Sequence, residues 1–138
     1  MKGEYQHTLD AKGRLFIPAK LREQLGDNFV VTKGLDDCLF VYPQEAWEEL
    51  EQKIRQLPMS KSRSLQRFFL SSAADVTVDR QGRIVIPPVL RSYAKLERDV
   101  VVIGVGERAE LWGARRWNAY TDDLDSESIA QAMEELGF

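Results

Sequence analysis

The sequence predicts an α+β chain, mainly β with short helices, laid out as a tandem pseudo-repeat of two hairpin-centred lobes. Three observations predict it. The stretch Asp10 to Pro18, DAKGRLFIP, returns as Asp79 to Pro87, DRQGRIVIP, at a constant offset of 69 residues. The apolar runs are short, rich in Val, Ile and Phe, and bounded by Gly, Asp and Pro, as strands are. Apolar residues at helical spacing occur only over brief stretches, several of them introduced by Pro or Ser.

The repeat reaches beyond its centre. One copy runs Thr8-Leu9-Asp10, Gly13-Arg14, Ile17-Pro18 and Leu21-Arg22; the other runs Thr77-Val78-Asp79, Gly82-Arg83, Ile86-Pro87 and Leu90-Arg91. Further on, Phe29-Val30-Val31 answers Val100-Val101-Val102, Leu39-Phe40-Val41 answers Glu110-Leu111-Trp112, and Trp47 answers Trp117. The match loosens there, with small gaps, but agreement over this length marks one structural unit used twice.

In chain order, Gln6 to Leu9 reads as a first strand. Asp10 and Gly13 then form a turn, the carboxylate bonding nearby backbone N–H groups and the glycine taking the positive φ that closes a bulged hairpin. Arg14 is thereby held at the tip. Leu15-Phe16-Ile17 is apolar throughout, which predicts a strand covered on both faces. Pro18 ends it and suits the first turn of a short helix carrying Leu21 and Leu25. Phe29 to Thr32 and Leu39 to Tyr42 are strand-like. Pro43 opens a helix whose apolar stripe is Trp47, Leu50 and Ile54, and Leu57-Pro58 stops it. Ser60 is the expected N-cap of a further helix bearing Leu65, Phe68 and Phe69 together with the basic Lys61, Arg63 and Arg67.

The second lobe follows the same plan. A strand from about Asp75 to Val78 leads into a turn formed by Asp79 and Gly82, with Arg83 at its tip. Ile84-Val85-Ile86 is again expected to be covered on both faces. A short helix near Val89 to Ala94, strands at Val100 to Ile103 and Ala109 to Trp112, and a helix with Trp117 and Tyr120 complete it. The acidic C-terminal segment, with Leu124, Ile129, Met133 and Leu136, reads as weakly helical. The expected units are residues 1–52 and 74–122 for the two repeats, 53–73 for a helical connection and 123–138 for an acidic tail.

With 138 residues, 43% hydrophobic and 30% charged, the chain is of a size for one ordinary domain, or for two half-sized lobes that share a core or oligomerise. No apolar run approaches a membrane span and MKGEYQ has no signal-peptide core, so a cytoplasmic location is expected. The single cysteine, Cys38, cannot form an intrachain disulfide and reads as a small hydrophobe beside Leu39. A net charge of −3 hides an uneven layout: residues 53–70 carry five bases and no acid, residues 117–138 six acids and no base. One His and one Cys exclude a conventional zinc cluster, and no phosphate-cradling glycine loop or nucleophile elbow is present. No enzyme, cofactor or small-molecule substrate is expected.

At the paired motifs Asp10-Ala11-Lys12-Gly13-Arg14 and Asp79-Arg80-Gln81-Gly82-Arg83 the chain resembles the MraZ family of bacterial transcriptional regulators. GEYQHTLDAKGRLFIPAKLRE, GLDDCLFVYP and the ELW-plus-Trp117 pattern extend the likeness over nearly the whole length. Lys2 departs from it, since such chains usually open Met-Phe. The resemblance implies tandem lobes of an AbrB-like (SpoVT-AbrB) swapped-hairpin β-barrel with flanking helices. It also implies a ring-shaped homo-oligomer, associated with the nucleoid. Such a ring would bind short G-rich direct repeats of double-stranded DNA ahead of cell-division and cell-wall genes.

On that footing Arg14 and Arg83 are expected to donate to guanine O6 and N7, and Lys12 and Arg80 to reach phosphates. A structural ion pair from each arginine to Asp10 or Asp79 is the competing reading. For Lys61, Arg63 and Arg67 a solvated helix face is favoured over DNA contact. Trp47, Trp112, Trp117, Phe68 and Phe69 read as core or subunit-interface residues. The alternative function is a ring-forming scaffold for protein partners.

Overall fold

Each copy of the repeat folds into a strand, a tight turn, a second very short strand and a helix; where those strands go defines the architecture. The computed structural model describes residues 1–138. In the first repeat, β1 (Glu4–Thr8) and β2 (Arg14–Phe16) lead into α1 (Ala19–Leu25), β3 (Asn28–Lys33), β4 (Leu39–Pro43) and α2 (Gln44–Gln56). A connection follows, made of α3 (Met59–Leu65) and a π-helical turn, Gln66–Leu70. The second repeat gives β5 (Ala74–Thr77), β6 (Arg83–Val85), α4 (Pro88–Tyr93), β7 (Asp99–Gly104), β8 (Ala109–Gly113) and α5 (Ala114–Asp123). The chain ends in α6 (Ser126–Glu134).

The two strands flanking each turn do not form a hairpin ladder with one another: Leu9↔Leu15 is the one bridge that joins β1 to β2. β1 instead pairs with β7 of the other repeat, β5 pairs with β3, and β2 pairs with β6, all antiparallel. Strands of both repeats thus interleave in one six-stranded sheet of order β1-β7-β8-β4-β3-β5, with β2-β6 as a separate ribbon. The expected α+β class and tandem repeat hold, and the arms are exchanged between repeats. The expected closed barrel is not formed. β1 and β5 are free sheet edges, because the exchange places each repeat's first strand on the far side of the other repeat's β7 or β3 instead of closing its own lobe.

One face of the sheet carries the main core. Val31, Leu39, Val41, Val100, Val102 and Leu111 meet Leu15, Ile17, Ile84 and Ile86 of the ribbon and Leu21, Leu25 and Leu90 of α1 and α4. On the opposite face Cys38, Phe40, Val101, Ile103 and Trp112 form a second cluster, covered by Phe69, Trp117 and Tyr120. The alternation of strand side chains sends neighbouring residues into different clusters, which is why β3, β4, β7 and β8 are apolar on both faces. Cys38 fills space as expected; burial pushes its thiol pKa up, and Sγ donates to Leu35 O at 3.0 Å.

The ribbon departs from its expected double coverage. Leu15 and Ile84 are fully buried, but Phe16 is half-buried and Val85 is 56% exposed, so only one face packs on the core. Pro18, Pro43 and Pro87 stand at the N-caps of α1, α2 and α4, where a missing N–H costs nothing. The cap of α3 is Pro58, not Ser60, which lies inside the helix; the proline's fixed φ starts the turn without a side-chain cap. α6 is capped by Asp125, whose carboxylate accepts from Ser128 N at 2.6 Å, and none of its residues is buried.

Candidate nucleic-acid interface

The recognition candidates begin with two aspartates. Asp10 Oδ1 accepts the backbone N–H groups of Lys12 (3.0 Å) and Arg14 (2.9 Å), while Oδ2 accepts Arg14 Nε at 2.6 Å. Asp79 repeats this: Oδ1 accepts from Gln81 N (2.8 Å) and Arg83 N (2.9 Å), and Oδ2 from Arg83 Nε at 3.1 Å. Gly13 and Gly82, at φ 80 and 81, complete the turns. Both carboxyl pKa values are lowered, first by the N–H of the arginine at the turn's end. A general acid would need the opposite shift. Asp10 and Asp79 are turn-formers.

The ion pair that competed with a recognition role for Arg14 and Arg83 is therefore formed. It uses Nε alone. No terminal guanidinium nitrogen of either residue has a hydrogen-bond partner in the protein, and the side chains remain 33% and 27% exposed. Each arginine is held at its base and free at its end.

The ribbon brings the pair together. Arg14 lies opposite Val85 and Phe16 opposite Arg83, with Leu15 opposite Ile84 between them. Since strand side chains alternate, Leu15 and Ile84 point into the core while Arg14, Phe16, Arg83 and Val85 share the outer face. Diagonal neighbours on such a pair are about 7–8 Å apart. The two arginines expected at separate hairpin tips thus stand side by side. Because β2 and β6 are antiparallel, their turns sit at opposite ends, with Lys12 exposed at one and Arg80 at the other.

Crossed backbone hydrogen bonds lock this arrangement. Ile17 N donates to Gly82 O at 2.9 Å, and Ile86 N to Gly13 O at 2.8 Å. Two further residues lie beside the turns without having been assigned a role from sequence, Arg22 at Gly82 and Arg91 at Gly13. Their signal was present, since the Leu-Arg pair recurs in both copies of the repeat. Lys61, Arg63 and Arg67 are exposed on α3 and the π-helical turn, which pack on α2 and β3, not on the ribbon. Trp47 and Trp112 are buried, Trp117 packs on Trp112 at 5.2 Å, and Phe68 and Phe69 are half-buried. His7 rests against Phe16 at 5.0 Å.

Comparison with known proteins agrees with the two-copy layout. The family model described as "MraZ protein, putative antitoxin-like" matches residues 1–68 and again residues 69–137. The protein named transcriptional regulator MraZ from Syntrophomonas wolfei is 52% identical over 139 residues, covering 98% of this chain and 97% of its own. Its namesake from Heliobacterium modesticaldum is 54% identical over 136 residues, covering 97% and 92%. A third, from Natranaerobius thermophilus, is 53% identical over 135 residues, covering 95% and 94%. These relatives are transcriptional regulators, not enzymes. With one family model accounting for both halves and such likeness along nearly the full length, the chain belongs to the MraZ family.

Proposed function

We propose that the chain is a sequence-specific, DNA-binding transcriptional regulator that reads guanines through Arg14 and Arg83. The observation that carries this reading is their placement on one exposed face of a two-stranded ribbon with their terminal nitrogens free. A major groove about 12 Å wide admits such a ribbon, and a bidentate contact to guanine O6 and N7 discriminates by about 1–3 kcal/mol. The Asp10 and Asp79 pairs limit the rotamer freedom each arginine would lose on binding. Lys12 and Arg80, at the ribbon's two ends, would meet phosphates and make binding salt-dependent.

One ribbon offers few contacts. Binding to short G-rich direct repeats of promoter DNA, ahead of cell-division and cell-wall genes, would gain strength from a ring-shaped homo-oligomer that presents several ribbons at once. Residues 1–52 and 74–122 would be its repeat units, joined by 53–73 and followed by the tail 123–138. A regulator of this kind works in the cytoplasm at the nucleoid, and no helix here is long and apolar enough to cross a membrane.

A gel shift on DNA with one, two or three direct repeats tests the reading. Wild-type affinity is expected to rise steeply with repeat number and to fall steeply with salt. The Arg14→Ala, Arg83→Ala variant should keep its assembly state and lose retention. Undiminished retention by that variant would leave the scaffold function in its place.

A further inference from the structure

We infer that Arg22 and Arg91 are positioning residues that act across the repeats: Arg91, from the second, sets the turn that carries Arg14, and Arg22, from the first, sets the turn that carries Arg83. The inference rests on the reading of Arg14 and Arg83 as the base-contacting pair.

The crossing follows from topology. Each short helix begins directly after a ribbon strand, and each ribbon strand ends beside the other repeat's turn, as the Ile17 N to Gly82 O and Ile86 N to Gly13 O bonds record. α1 therefore starts at the second turn and α4 at the first. Leu21 and Leu90 anchor these helices in the core, so the residue after each is carried to the turn's flank.

Glycine, required in each turn by its positive φ, leaves room for a close approach from the other repeat. A Cβ built on Gly13 would lie 2.8 Å from Arg91 Cζ and 3.0 Å from its Nε, so the guanidinium would have to leave its place beside the turn to admit one. On Gly82 it would lie 2.8 Å from Phe16 Cε2 and 3.3 Å from Arg22 Cζ. Each glycine thus serves the positive φ of its own turn and leaves space beside it, filled by the Arg91 guanidinium at Gly13 and by Phe16 with Arg22 at Gly82. A planar, delocalised guanidinium can pack beside the turn with less bulk and weaker hydration than a lysine's ammonium.

The two braces are not equivalent, and the sequence explains the difference. Arg22 Nε donates to Ile17 O at 3.1 Å, and its guanidinium sits 5.6 Å over the Phe16 ring, which shares the space at Gly82. The counterpart of Phe16 is Val85, too short to intervene, so Arg91 comes directly onto Gly13. There its buried Nε finds no hydrogen-bond partner. Arg91 is held by packing against the turn it supports, and that turn has no other side chain behind its glycine within the same distance.

A double-mutant cycle read by fluorescence anisotropy separates positioning from general stabilisation. Wild type, Arg91→Met and Arg22→Met, each alone and combined with Arg14→Ala or Arg83→Ala, are titrated with a G-rich direct-repeat site and with the same site carrying adenine for guanine. Arg91→Met is expected to lower affinity for the G-rich site about fivefold to tenfold, in the range usual for contacting residues, with little change on the substituted site. The loss should be absent in the Arg14→Ala background and complete in the Arg83→Ala background. Arg22→Met should show the reverse.

Arg91→Lys, a milder change than methionine, should not restore discrimination, whereas a role in charge alone would be rescued by it. Equal losses in both backgrounds, coupling within one repeat, or rescue by lysine would overturn the inference. Should Arg14→Ala and Arg83→Ala themselves leave discrimination intact, the base-contacting reading fails first, and that result is distinguishable from the others.

Discussion

Glu110 is the one charged residue among the buried side chains, and its surroundings account for it atom by atom. Oε1 accepts Trp112 Nε1–H at 3.0 Å; Oε2 accepts Arg108 Nε and Nη2 at 3.0 and 2.7 Å. Arg108 in turn lies 3.9 Å over the Phe40 ring, so the pair closes the edge of the second cluster. Glu110→Ala would strand an indole N–H and a guanidinium together. A loss of about 1–3 kcal/mol is expected, since a buried donor left without a partner costs that much. Urea unfolding checks it: the midpoint should fall with the slope unchanged. From the sequence Glu110 passed as an ordinary strand position, although Arg108 and Trp112 at two-residue spacing pointed to one shared face. Asp10 and Gly13 were fully legible because the turn closes within five residues of chain. The fate of Phe16 and Val85 was not, because an apolar triplet does not tell which of its faces a distant segment will cover.

At the level of elements, the turns that lead into the ribbon are expected to be acid-sensitive. Both turn carboxyls have folded pKa values below the ordinary 3.8, through backbone N–H donation and then the arginine partners. A depressed carboxyl pKa stabilises the folded state above the unfolded value and loses that contribution as pH falls through the folded one. Melting temperature is therefore expected to hold from neutral pH down towards 3.8 and to drop below it. An Asp10→Asn, Asp79→Asn variant should start lower at neutral pH and lose less between there and strong acid. A drop as steep as that of the wild type would place the acid-sensitive groups elsewhere. The elements themselves were legible wherever a local rule fixed them: proline-led helices, strands bounded by turn residues, the Trp47–Ile54 stripe. Pairing was not. A three-residue strand such as β2 carries too little pattern to choose β6 over β1, and that choice decides between a closed barrel and an open, exchanged sheet.

For the whole molecule the exchange means that neither repeat holds a core of its own, since the main cluster draws on β3 and β4 as much as on β7 and β8. α6 stands outside that economy, contributing no buried residue. It does carry charge. Removing residues 124–138 takes away four carboxylates and no base, moving the formal net charge from −3 to +1. Stability should change by no more than about 0.5 kcal/mol, as for other surface alterations that touch no packed group. Affinity for DNA should rise at low salt, because negative charge repels the phosphate backbone over roughly 30 Å at 0.01 M salt, and the gain should vanish near 0.15 M, where the range shrinks to about 8 Å. Thermal melting and anisotropy titrations of the shortened chain at both salt concentrations measure the two effects separately. A shortened chain that binds more weakly, or that loses its assembly state, would show instead that the apolar stripe of Ile129 and Met133 serves contacts between copies. The tail would then belong to the construction of the regulator, not to its electrostatics.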